Sequence, residues 1–130
     1  MHARARRAYV DSQYETAVVM ARPVDLVVMV YSRVLDHAEV ARAELLANRD
    51  PEQAIAKALD LIETGLKVCL NHEAGGEISR NLETLYAWGS RQLLRARLKK
   101  DPQLIADFQR VFTTVAEAWK THANERVSVP

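Results

Sequence analysis

The sequence predicts an all-α protein: an antiparallel up-down-up-down four-helix bundle with an N-terminal arm packed on it. Three observations lead there. Apolar residues recur at three- and four-residue spacing through long stretches, which is the period of a helix face. Only four glycines and four prolines punctuate 130 residues, too few for turn-rich β structure. The links between the periodic stretches are short, so consecutive helices should be antiparallel neighbours, each about 30 Å long. The expected organisation is one domain, with an arm over 1–21, a bundle over 23–122 and a tail over 123–130.

Met1 to Arg7 carries Arg4, Arg6 and Arg7 among alanines and reads as a solvated tail. Ala8 to Ala21 is different. Tyr9, Val10 and Tyr14, then Ala17 to Met20, are too apolar for a free segment, yet no strong helix cap precedes them. This arm should dock, either permanently on its own bundle or removably over a site that a partner also uses.

Pro23 opens the first helix, with Asp25 in its first turn, where a carboxylate suits the helix dipole. Val27, Val30, Val34, Ala38, Ala41 and Leu45 form its stripe, widened by Val24, Val28, Leu35 and Leu46. The helix should end near Ala47 to Asn48. Asp50 then reads as an N-cap, Pro51 as the first helical residue and Gln53 as a capping-box partner for a second helix running to Leu70. Ile55, Leu59, Ile62, Leu66, Cys69 and Leu70 lie on one face, while Ala54, Ala58, Leu61, Gly65 and Val68 keep the same spacing on the adjoining one. Together the faces span about 200°, against the roughly 100° that contact with one core demands. The second face is small in its middle and bulky at its rims, so it reads as a trough. The alternative is a central helix buried on two sides. Cys69, the single cysteine, reads as a reduced, buried thiol.

Asn71 to Gly76 form a polar connection. A third helix follows from about Glu77 to Lys99, with Ile78, Leu82, Leu85, Gly89, Leu93 and Ala96 as its core line and Tyr86 and Trp88 beside it. Gly89 costs roughly 1 kcal/mol of helix stability relative to alanine, which close packing on its backbone would offset. Arg91, Arg95, Arg97, Lys99 and Lys100 crowd the end of this helix, where cations complement the dipole. Asp101-Pro102 repeats the Asp50-Pro51 start signal. Ile105, Phe108, Phe112, Val115, Trp119 and His122 then continue the pattern, and Ala123 to Pro130 look frayed.

Catalytic and metal-binding patterns are missing. His2, His37, His72 and His122 form no His-Glu-x-x-His pair and no repeated Glu-x-x-His, and Cys69 has no cysteine neighbour for a metal knuckle. Gly75-Gly76 lacks the spacing and the lysine of a phosphate loop. Neither an enzyme activity, a cofactor nor a metal is expected. Apolar recognition remains, in which an amphipathic partner helix lies in a groove. No signal-like stretch and no run of ~20 apolar residues occurs, so a cytosolic protein without membrane insertion is expected.

Several stretches resemble the flagellin-specific export chaperones, the FliS family. Ala8-Tyr9 with Glu15-Thr16-Ala17 looks like the family's N-terminal strap, and Pro23 to Tyr31 resembles its Pro-x-x-Leu-x-x-Met-Leu-Tyr helix start. Asn81-Leu82-Glu83-Thr84-Leu85-Tyr86 is similar to its Asn-Leu-x-x-Leu-Tyr signature; Leu93 to Ala96, Asp101 and Ala118-Trp119-Lys120 complete the order. Ser32-Arg33, Arg97, Arg22 and Trp88 depart from the usual residues. The resemblance implies a cytosolic chaperone that binds the disordered C-terminal region of flagellin, blocks premature polymerisation and presents the subunit to the flagellar export gate. An anti-sigma factor or co-chaperone is left open as a further partner. The implied groove combines Ala54, Ala58, Leu61, Gly65 and Val68 with Leu85 and Tyr86, and the arm brings Tyr9, Val10 and Tyr14. Two rivals stand beside it: a basic nucleic-acid-binding bundle using Arg4 to Arg7 and Arg91 to Lys100, and a homodimer burying the trough against its twin.

Overall fold

The computed structural model describes residues 23–70 and 72–128. Four helices occupy them: α1 (Pro23–Leu46), α2 (Glu52–Leu61, running on into a π-helical turn at Ile62–Leu66), α3 (His72–Lys99) and α4 (Pro102–Ser128). Each packs on its chain neighbours, and α1 closes the ring against α4. This is the antiparallel bundle that the spacing predicts. The arm, with Tyr9, Val10 and Tyr14, lies outside the described residues.

The core follows from helical periodicity. Val30, Val34, Ala38, Ala41 and Leu45 of α1 are buried, and so are Ile105, Phe108 and Phe112 of α4. On α3 the buried line is Ser79, Tyr86, Gly89, Leu93 and Ala96, with Leu82 half-buried. That line is one residue out of phase with the expected one in its first half. Ile78, expected in the core, is 69% exposed. The helix takes its phase from a break at Gly76, whose φ of 51° and ψ of −120° a side chain would strain.

Three further expectations are corrected. Pro51, with φ −86° and ψ 25°, stands one residue before α2 instead of at its first position. The Asp50 carboxylate is taken mainly by Arg97, whose Nε and Nη2 donate to it at 2.9 and 3.1 Å. This pulls the Asp50 carboxyl below its ordinary range, with the Glu52 backbone N–H a lesser cause. Cys69 is exposed. The π turn, closed by the Lys67 N–H on the Ile62 carbonyl at 3.0 Å, inserts a residue and carries Cys69 off the apolar stripe. Finally, α4 is helical through Ser128, beyond the expected start of the tail at 123.

The two turns at the lower end of the bundle share one design. At the end of α1, Asn48 has φ 57°, the Arg49 N–H donates to the Glu44 carbonyl at 2.8 Å and the Asn48 N–H to the Leu45 carbonyl at 3.1 Å. At the end of α3, Lys100 has φ 53°, with the Asp101 N–H on the Ala96 carbonyl at 3.0 Å and the Lys100 N–H on the Arg97 carbonyl at 3.3 Å. Both are Schellman caps, a motif that usually places glycine at the left-handed residue. Asparagine tolerates that conformation readily, whereas lysine holds it only at a cost of about 1 kcal/mol. Lys100→Gly is therefore expected to raise unfolding free energy by about 1 kcal/mol, read as a higher urea midpoint at unchanged slope.

Candidate functional site

The stretches quoted for the resemblance, far apart in sequence, meet inside the bundle. Tyr31 from α1 and Tyr86 from α3 are fully buried and share a hydrogen bond between hydroxyls at 2.6 Å. Trp119 from α4 packs, half-buried, against the same core. Phe112 completes an aromatic triangle, its centroid 6.0 Å from Tyr31 and 6.2 Å from Tyr86. Burial pushes both phenols above their ordinary pKa, so they stay protonated and serve as hydrogen-bonding locks. This cluster ties three helices together, and its polar atoms face the interior.

The groove residues expected from sequence divide into three groups. Ala54, Ala58 and Tyr86 are buried in the core, so they form no open surface. Leu61, Gly65 and Leu85 are half-buried. Gly65 does not floor a trough: a Cβ there would lie 3.0 Å from Val30 Cγ1, so its open side faces α1. Its smallness lets two helices approach, and a larger side chain would run into α1 before it met a client. Val68 alone is fully open, at 73% exposure.

What the structure offers instead is a seam. Contact between neighbouring helices is thinnest between α2 and α3. Ser90 donates across it to Glu63 Oε1 at 3.4 Å, and Lys67 pairs with Glu63 at 3.0 Å. Half-buried Leu61 and Leu85 lie on these helices, and exposed Val68 and Ile78 mark the end where α2 finishes and α3 begins. Ile78 was missed as a surface residue because its spacing matches the core line nearly as well as Ser79 does.

The opposite end carries a concavity of about 870 Å³ between the α1–α2 turn and the end of α3. Leu45, Pro51, Leu94 and Leu98 form its apolar part, and Arg49, Arg97 and Lys100 its rim. The clue in the sequence was Leu94 and Leu98, two leucines one helical turn apart and off the core line. Among the described residues, no cluster of histidine, cysteine or carboxylate side chains could hold a metal ion, and no helix is long and apolar enough to cross a membrane.

Fold and surface together define a helical bundle with a locked interior and surplus apolar surface on its outside. The chain belongs to the FliS family: the family model described as flagellar protein FliS matches residues 5–126. It is 36% identical over 118 residues to the flagellar secretion chaperone FliS of Salmonella typhimurium, covering 88% of this chain and 86% of the relative. To the Escherichia coli protein of the same name it is 33% identical over 122 residues, covering 91% and 88%. To the flagellar secretion chaperone FliSB of Pseudomonas aeruginosa it is 28% identical over 118 residues, covering 89% and 93%.

Proposed function

We propose that this chain is a flagellar secretion chaperone that binds the disordered C-terminal region of flagellin in the cytosol. It prevents premature polymerisation there and delivers the subunit to the flagellar export apparatus. Family membership across nearly the whole chain carries this reading, and the exposed Val68, just past α2, and Ile78 on α3 support it. The client segment is taken to be amphipathic and helix-prone. On the seam it would lay its apolar face against Leu61, Val68, Ile78 and Leu85, with Ala54, Ala58 and Tyr86 forming only the wall beneath. Ordering the client costs chain entropy, which offsets part of the contact energy and keeps the complex releasable without nucleotide. Release at the export gate would follow from competition for the same apolar face.

A calorimetric titration with a flagellin C-terminal peptide tests this. About one peptide per chain should bind without nucleotide or metal, and the heat-capacity change should be negative, as apolar burial requires. Val68→Glu with Ile78→Glu alters two exposed positions, so the fold should survive while affinity falls about tenfold or more. Unchanged affinity in that double variant would place the client elsewhere on the bundle.

A further inference from the structure

We infer that the concavity at the lower end of the bundle is a second docking surface, for an acidic amphipathic helix of a partner protein other than the client tail. Its apolar part is open where a core would be closed: Leu94 is 51% exposed and Leu98 is 83% exposed, while Leu45 and Pro51 close the floor. Leu94 and Leu98 stand one turn apart on α3, which makes a ridge that fits the groove of a second helix. A small solute would leave Leu98 wet; a helix laid along the ridge would cover it.

The rim decides the charge of the occupant. Arg49, Arg97 and Lys100 surround the concavity, against the carboxylate of Asp50 and that of Glu52, 3.8 Å from Arg97. Arg97 is bound to Asp50, whereas Arg49 and Lys100 have no ion pair among the described residues; Lys100 exerts only a weaker attraction on Asp50. Two cations are thus left beside exposed leucines. Lys100 holds a backbone conformation that glycine would adopt more cheaply, so a positive charge is kept at the rim at some cost to the cap. An incoming helix with carboxylates flanking its leucines would neutralise both cations, and a basic helix would be repelled. From Leu85 to Leu98 the rise along α3 is about 20 Å, so this surface and the client seam can be filled together.

The probe is a pair of synthetic helical peptides of about 16 residues, long enough to hold a helix, with leucines one turn apart and flanks of all glutamate or all lysine. Binding is followed by fluorescence anisotropy on the full chain, with and without the flagellin C-terminal peptide. The glutamate peptide should bind, and the lysine twin at least about tenfold more weakly. Leu98→Ser and Arg49→Ser, both at exposed positions, should each weaken the glutamate peptide about fivefold. Lys100→Gly should do the same while making the protein more stable, which separates lost binding from lost folding. Equal binding of the two peptides, or indifference to Leu98→Ser and Lys100→Gly, overturns the inference. So does displacement of the probe by the flagellin peptide, because the surface would then belong to the client.

Discussion

Gly89→Val is expected to lower the melting temperature by about 10 °C, a loss of about 3 kcal/mol. A Cβ at this position would lie 2.7 and 2.8 Å from Phe112 Cζ and Cε1 and 2.9 Å from Phe108 Cε2. Neither ring can easily give way. Their centroids are stacked at 4.1 Å, both are fully buried, and Phe112 is braced by Tyr31 and Tyr86. Helix propensity favours valine over glycine by less than about 1 kcal/mol, so the steric cost must exceed that gain to set the sign. Phe112→Leu should relieve the contact, so in thermal melts the double variant should lose less than the sum of the two single losses. Strict additivity would mean that the rings move aside and that Gly89 is not the pivot of the α3–α4 contact.

Removing one hydroxyl of the Tyr31–Tyr86 pair is expected to cost more than removing both. In Tyr86→Phe, the fully buried Tyr31 hydroxyl loses its 2.6 Å partner, a cost of about 1–3 kcal/mol. In Tyr31→Phe with Tyr86→Phe, two apolar rings replace two polar ones at nearly constant shape, and most of that loss should return. Urea unfolding of the three variants measures the coupling. If the double variant were as damaged as the two singles combined, the pair would owe its effect to packing and not to the hydrogen bond.

The helices were legible where one face repeats strictly, as in Val30-Val34-Ala38-Ala41-Leu45 and Ile105-Phe108-Phe112, because burial there follows period alone. Legibility stopped where the backbone changes phase. The spacing of Ala58, Ile62 and Leu66 by four residues was the only trace of the π turn, and the turn moves Cys69 and Val68 to the surface. Likewise Ser79 hid the true stripe of α3, since a hydroxyl carries no apolar signal. The candidate groove was harder still. Gly65 sits where α1 packs close to α2 and Ala54 and Ala58 are buried in the core, and small residues at a closed helix contact look the same in sequence as those in an open trough. The lower concavity joins residues around 45–51 to residues around 94–100, a pairing that only the fold creates.

The central claim is that the client's C-terminal region is what this bundle holds. Isothermal titration of the chain with monomeric flagellin, and with the same flagellin lacking its C-terminal segment, tests it most directly. Intact flagellin should bind at about one to one with a negative heat-capacity change, and the truncated protein should give no binding heat. Equal affinity for the truncated flagellin would contradict the claim and place the recognised segment elsewhere in the client.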